Sequence, residues 1–250
     1  MSHSYFRFYA DLNDFLPAEK RQTAFVYPFN NEQSVKHLIE AAGAPHTEVA
    51  LILANGEPVD FSYRVQDGDE VSVYPFLTTL PVPENGRLRP PPPQPARFLL
   101  DIHLGQLTRT LRLLGFDSLY PDCTHHDADL AQIAHDEERI LLTRDRGLLR
   151  RSLVVHGCCL RTTDPREQLT AVLHRYDLFD AIRETPRCLR CNGLLKAAAK
   201  ESILDRLEPK TKLYYDEFQI CADCEQIYWQ GSHYPSLRAF IHAIQTGRNL

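Results

Sequence analysis

Cys188-Leu-Arg-Cys191 and Cys221-Ala-Asp-Cys224 form two cysteine pairs of identical spacing, with 29 residues between them. A Cys-x-x-Cys spacing lets one tight knuckle aim both thiolates at a single ion, and two knuckles complete the tetrahedral sulfur shell that Zn²⁺ favours. No histidine or carboxylate is needed to fill that shell, which marks a closed, structural site rather than an open catalytic one. The inner spacing exceeds that of the most compact zinc ribbons, so the insert is expected to carry a helix of its own. Four unrelated buried cysteines are the alternative, but chance rarely places two such spacings so close together.

Carboxylates supply the second candidate chemistry. Asp101 follows the apolar run Arg97-Phe98-Leu99-Leu100, and Asp145 lies just beyond Ile140-Leu141-Leu142-Thr143. If both runs are strands of one parallel sheet, the two acids reach the same edge. Carboxylates brought together there repel unless a cation lies between them, and Mg²⁺ or Mn²⁺ suits such a site. Equally, each aspartate can simply cap the helical turn that follows it. Asp127 opens the segment DADLAQIA, and Asp164-Pro165 has the form of an N-cap followed by the first helical residue. Arg109 and Arg112 lie on the polar side of the helix after Asp101, while Arg144 and Arg146 flank Asp145. These guanidinium groups could fork onto phosphate or remain solvated. His125 and His126 read as part of a polar loop.

The elements that must position these groups fall into blocks. Residues 81–96 contain seven prolines, which predicts a stiff spacer between domains. Before it, alternating apolar residues in SYFRFYA and TAFVYPF predict a hairpin, and Ser34 opens an amphipathic helix that Gly43 can close. Two more strand signals follow, VALILANGEPV and DEVSVYPFL, the second entered through Gln66-Asp67-Gly68-Asp69. This order over residues 1–80 resembles an α+β β-grasp, ubiquitin-like domain, with an ending similar to that of small sulfur-carrier proteins. Sulfur carriers finish in a free Gly-Gly. Here the chain continues through Pro75-Phe76-Leu77-Thr78-Thr79-Leu80 without a glycine, so a recognition or docking role, with a protein partner, is the better expectation.

After the spacer, strands and helices alternate. Leu104, Leu107, Leu111 and Leu114 recur at spacings of three and four, one apolar helix stripe that Gly115 ends. Strands are expected at 116–120, 140–143 and 154–160, and helices from Asp127 to Glu137 and from Asp164 to about Tyr176. That order predicts an α/β domain at 97–183, a parallel sheet with helices on both faces and ligands at the carboxyl ends of the strands. A ribbon and a C-terminal helix fill 184–250.

The net charge of −5 is unevenly spread. Residues 1–80 carry 5 Lys+Arg against 11 Asp+Glu, residues 81–183 carry 14 of each, and residues 184–250 carry 9 against 8. All 14 cations of the middle block are arginine, the side chain suited to bidentate phosphate contacts. An acidic front beside an arginine-bearing middle invites intramolecular pairing, unless the proline spacer holds the two apart. Neither a leader-like start nor an apolar run of about 18 residues is present, so a cytoplasmic protein with no membrane partner is expected. Cys123, Cys158 and Cys159 are an odd remainder that argues against a disulfide framework.

The segments LLDIHLGQLTRTLRLLGFDSLY, DADLAQIAHDEERILLTRDRGLLRR and CLRCNGLL with LYYDEFQICADCEQIYWQGSHY together resemble the RNase-type PIN domain at the C-terminus of the Mut-seven exonuclease family, over roughly residues 97–235. Members of that family often carry a β-grasp module in front. The resemblance implies a metal-dependent ribonuclease, acting on RNA through an acidic cluster that holds Mg²⁺ or Mn²⁺. Asp101 matches the first acid, Asp145 the strand-end acid and Asp127 the intermediate one. The chain has Thr108 and Thr110 where the family commonly has an alanine and an aromatic residue. Two other readings are a non-catalytic RNA- or ribosome-binding module and an adaptor that works through the β-grasp domain. Tyr214, Tyr215, Phe218, Tyr228 and Trp229 crowd around the second knuckle, and packing into a small ribbon core is their expected role. Trp229 and Tyr234 are the two candidates for base stacking.

Overall fold

The computed structural model describes residues 2–30, 33–76, 82, 84–121, 124–183, 187–231, 239, 242–244 and 246. In chain order its elements are β1 (Ser2–Phe8), β2 (Phe25–Phe29), α1 (Val35–Ala42), β3 (Val49–Ala54), β4 (Glu57–Pro58), β5 (Glu70–Pro75), β6 (Arg97–Leu100), α2 (Gly105–Leu113), β7 (Asp117–Leu119), α3 (Asp127–Asp136), β8 (Ile140–Thr143), α4 (Arg146–Leu149), β9 (Gly157–Cys159), α5 (Pro165–Arg175), β10 (Leu195–Ala198), α6 (Pro209–Tyr214), β11 (Phe218–Cys221) and β12 (Ile227–Trp229). They fall into two compact units, Met1–Pro95 with Asp122–Arg161, and Ala96–Pro121 with Thr162–Leu250.

The front of the first unit is a mixed five-stranded sheet in the order β2-β1-β5-β3-β4, with β1 antiparallel to β2 and parallel to β5. Period-two burial explains its face: Phe6, Phe8, Val71, Val73 and Ile52 are buried, as are Val35, Leu38 and Ile39 of α1. The Ser34 hydroxyl caps α1 by accepting from His37 N at 3.3 Å. Gly43, at φ 129°, closes it; a Cβ there would stand 2.4 Å from the carbonyl oxygen of Phe15. Between β3 and β4, Asn55 and Gly56 adopt φ 52° and 87°, the left-handed pair that a two-residue hairpin turn needs. This is the β-grasp, ubiquitin-like arrangement expected of residues 1–80.

The proline-rich segment is rooted to that domain. Arg89 donates to the carbonyls of Thr47, His46 and Val49 at 2.6–2.8 Å, and its guanidinium lies 5.3 Å from the Phe76 ring centre.

The same unit holds β8 and β9, a parallel pair in the register Leu141↔Gly157, Leu142↔Cys158, Thr143↔Cys159. Every residue of both strands is buried, as expected of a covered parallel sheet. The turn 46–48 of the β-grasp backs onto β9. Glu48, buried, accepts from Cys159 N at 2.7 Å, and His46 Nε2 lies 3.1 Å from the Val154 carbonyl oxygen.

The second unit carries the parallel pair β6 and β7, registered Arg97↔Asp117 to Leu99↔Leu119, with α2 and α5 packed together. All four leucines of the α2 stripe, Leu104, Leu107, Leu111 and Leu114, are buried. The strands β10, β11 and β12 form a separate antiparallel sheet in that order. Parallel strands with helices, a front β-grasp and a cysteine-bearing terminal ribbon thus match the expected fold class. Among the described residues no helix is long and apolar enough to cross a membrane.

Candidate metal centre and strand-end acids

The ribbon brings Cys188, Cys191, Cys221 and Cys224 together, their sulfur atoms all within 4.8 Å of one another. Cys188 Sγ lies 3.5 Å from Cys224 Sγ, and Cys191 Sγ lies 3.4 Å from Cys221 Sγ. Zn–S bonds of about 2.3 Å would set tetrahedral S···S edges of about 3.8 Å, so the cluster is of a size that fits the ion after small shifts of the sulfur atoms. None of the four is joined in a disulfide.

Both knuckles have the same backbone design. Asn192 and Glu225, each four residues after the first cysteine of its pair, take the left-handed values φ 73° and 56°. Amides aim at sulfur in both: Cys191 N lies 3.5 Å from Cys188 Sγ and Asp223 N 3.4 Å from Cys221 Sγ. Burial raises the Cys188 thiol, but hydrogen bonds from the Tyr228 hydroxyl and the knuckle amides overcome it and bring the pKa down to about 6. Burial instead pushes Cys191 up to about 12. Tyr228 spans the site, its hydroxyl 3.2 Å from Cys188 Sγ while accepting from Leu189 N at 3.0 Å. The insert does carry helix, a 3₁₀ segment at Lys200–Arg206 and then α6. The ribbon's apolar core is small, Ile203, Leu207, Phe218 and Ile227, so a metal is well placed to supply folding energy.

Arg112 belongs to this centre and corrects the sequence expectation. It is buried, with Nε donating to the Ser118 carbonyl at 2.9 Å and Nη1 donating to those of Leu189 and Arg190 at 2.9 and 3.2 Å. Burial draws its guanidinium below the ordinary arginine pKa. A side chain so engaged bolts the first knuckle to the α2–β7 corner instead of meeting phosphate. Asn192 adds to the joint, donating to Asp117 Oδ1 at 2.8 Å and accepting from Ser118 N at 2.9 Å. Asn192 was not singled out from sequence; its offset from Cys188, matched by Glu225 from Cys221, was the available signal.

The acids stand at helix starts. Asp101 follows β6 and accepts from Ile102 N at 2.6 Å. Asp145 lies two residues past β8 and caps α4, Oδ1 accepting from Gly147 N at 2.6 Å and Leu148 N at 3.4 Å. Its own N–H donates to Thr143 Oγ1 at 2.9 Å. Asp127 is the first residue of α3, exposed, and the capping is done by Asp129, which accepts from His126 N at 2.8 Å. Asp164 is the N-cap of α5, accepting from Arg166 N at 2.7 Å. Asp127 and Asp145 lie in the first unit, Asp101 in the second. Among the described residues, the cysteines are the metal-ligand group drawn together.

Arg109, Arg144 and Arg146 are exposed. Arg161, missed from sequence, shares a sheet edge with Asp145. In the register Thr143↔Cys159 each lies two residues further on, past β8 and β9 respectively. Thr108 and Thr110 bond back to the carbonyls of Leu104 and Gln106, at 2.9 and 3.1 Å, so α2 accommodates both. Trp229 is 43% exposed and tilted against Tyr215, ring centres 6.4 Å apart. Tyr234 and Cys123 lie outside the described residues.

Residues 1–80 match the Mut7-C ubiquitin family. Among solved structures, the small archaeal modifier protein 1 of H. volcanii is similar at 20% identity and a TM-score of 0.24, covering 30% of this chain and 98% of its own. No curated protein matches the chain. The Mut7-C RNAse domain family matches residues 96–241, more than half the length and inclusive of all four cysteines and all three candidate acids. The chain belongs to the Mut7-C RNAse domain family.

Proposed function

We propose that the protein is a metal-dependent endoribonuclease whose acids Asp101, Asp127 and Asp145 take Mg²⁺ or Mn²⁺ at the scissile phosphate, with Zn²⁺ in the four cysteines as a structural ion. The match of residues 96–241 to an RNAse domain carries this reading. Its chemistry suits the donor set, since hard carboxylate oxygens favour Mg²⁺ and Mn²⁺ while thiolates favour Zn²⁺. A divalent cation at the acids would supply charge for the phosphate oxygens and lower the pKa of an attacking water.

The chain's own residues do the rest. The hydrogen bonds that Asp145 accepts in α4 all fall on Oδ1, and they fix the direction of its carboxylate. Arg109, Arg144 and Arg146, exposed beside or near the acids in sequence, offer forked donors to the RNA backbone. Trp229, on the outer strand of the ribbon sheet, offers a face for stacking an unpaired base. The β-grasp domain is a surface for a protein partner, and the protein works in the cytoplasm.

Purified protein incubated with mixed structured and unstructured RNA should cleave it with Mn²⁺ and not with EDTA. Asp101→Asn should lower cleavage by about a hundred-fold or more while leaving RNA affinity within about two-fold. Cleavage that persists in EDTA would refute metal dependence. RNA bound but never cleaved under any divalent ion would leave the binding-module reading in its place.

A further inference from the structure

Arg161 has carboxylates for ligands. Its Nη2 donates to Asp11 Oδ2 at 2.9 Å, and its Nη1 donates to the Asp11 carbonyl at 2.9 Å and to Asp14 Oδ2. Both aspartates belong to the β-grasp domain, on the 3₁₀ segment Ala10–Phe15. Phe15, from the same segment, is 4% exposed, and two guanidinium groups lie on its ring, Arg146 at 4.9 Å and Arg161 at 5.6 Å. Arg146 Nη1 also donates to the Phe15 carbonyl at 3.4 Å. The segment is a rigid platform. Buried Asn13 ties it down, donating to the carbonyls of Phe8 and Ala10 at 2.9 Å and accepting from Gln22 N at 2.6 Å.

Position gives this contact its meaning. Arg161 and Asp145 occupy equivalent places, two residues beyond the last paired residues of adjacent parallel strands, so the arginine sits at the edge where β8 delivers its acid. Oxygens from two carboxylates and a carbonyl surround its guanidinium much as phosphate oxygens would. The ion pairs are also open to exchange, with side chains of Arg161, Asp11 and Asp14 that are 38%, 45% and 58% exposed. A competing anion can reach them without unfolding anything.

We propose that Arg161 is a phosphate-binding residue of the site at Asp145, and that Asp11 and Asp14 of the β-grasp domain occupy it as stand-ins for phosphate in the unliganded protein. The front domain thereby sets the threshold for RNA entry. The identification of the anion as RNA rests on the ribonuclease reading; the occupied phosphate site does not.

The test uses the full chain and four variants: Asp11→Asn with Asp14→Asn, Arg161→Gln, these three changes combined, and Glu57→Gln with Glu70→Gln. The last removes the same charge from exposed positions of the same domain. Affinity is measured for a single-stranded RNA oligonucleotide and for inorganic pyrophosphate, at low and at high salt. The Asp11/Asp14 variant should bind both probes about ten-fold more tightly than wild type at low salt, the combined effect of releasing two exposed ion pairs. The gain should fade as salt rises. Arg161→Gln should cancel the gain in the combined variant, because the freed arginine is then missing. An equal gain in the Glu57/Glu70 variant, or a gain that survives loss of Arg161, would overturn the proposal as a mere effect of net charge. No gain for either probe would overturn it too. A gain with pyrophosphate and none with RNA would keep the phosphate site and remove the RNA reading.

Discussion

Two modules are joined to the nuclease elements through arginine, and the joints are built differently. At the ribbon, Arg112 is buried and donates to backbone carbonyls. At the β-grasp, Arg161 is exposed and held by carboxylates, with Arg146 resting on Phe15. Carbonyl acceptors around a buried guanidinium leave no route for a competing anion, and breaking the joint strands the charge. Exposed carboxylates can be replaced one for one by phosphate. The first joint has the chemistry of a permanent fixture and the second that of an exchangeable contact, although the turn 46–48 anchors the β-grasp to β9 independently through Glu48.

The largest expected effect lies in the ribbon. The protein should hold one zinc per chain by elemental analysis, and Cys191→Ser should lose it. Because structural zinc contributes on the order of 10 kcal/mol to so small a fold, hydrogen exchange should show residues 188–229 unprotected. The joint adds a sharper expectation: amides of the α2–β7 corner should also lose protection, since Leu189 and Arg190 no longer accept from Arg112. Protection confined to loss within the ribbon would show the joint to be incidental.

Next comes Arg112→Leu, which removes a charged donor to three carbonyls and should destabilise the chain by about 3 kcal/mol. Thermal unfolding reads this directly, and RNA affinity of the folded variant should equal that of wild type. A stable variant with weakened RNA binding would restore Arg112 to the phosphate-contact role. Phe15→Leu should cost less, about 1–2 kcal/mol, through the two cation–π contacts and part of the ring's burial. Smallest is Asp11→Asn with Asp14→Asn, within about 1 kcal/mol in stability at low salt and near zero at high salt. A large, salt-independent loss there would mean that the β-grasp joint is as fixed as the ribbon's.

Much of this organisation is legible in the residues. Cys-x-x-Cys spacing locates the four-cysteine cluster because two-residue separation is a local property of the knuckle. The α2 leucine stripe and the Ser34 and Asp164 caps are local as well, and all are found. The role of Arg112 was not legible, since whether a helix arginine meets solvent or a neighbouring module depends on what packs there. Arg161 was missed for the same reason. Its importance comes from the parallel register with β8, and only pairing across the sheet places it beside Asp145. The proline-rich segment reads as a spacer by composition, yet Arg89 binds three carbonyls of the β-grasp, a contact that no local pattern announces.

Asp145 and Asp164 provide a matched pair for the central claim. Both are exposed N-caps whose Oδ1 accepts from the amide two residues on, at 2.6 and 2.7 Å. Asparagine caps a helix about as well as aspartate, so Asp145→Asn and Asp164→Asn should both fold with stability within about 0.5 kcal/mol of wild type. RNA cleavage in Mn²⁺, measured side by side, should then fall by orders of magnitude in Asp145→Asn and by less than about two-fold in Asp164→Asn. Equal cleavage in the two variants would make Asp145 a cap and nothing more, and would contradict a catalytic metal at this edge of the sheet.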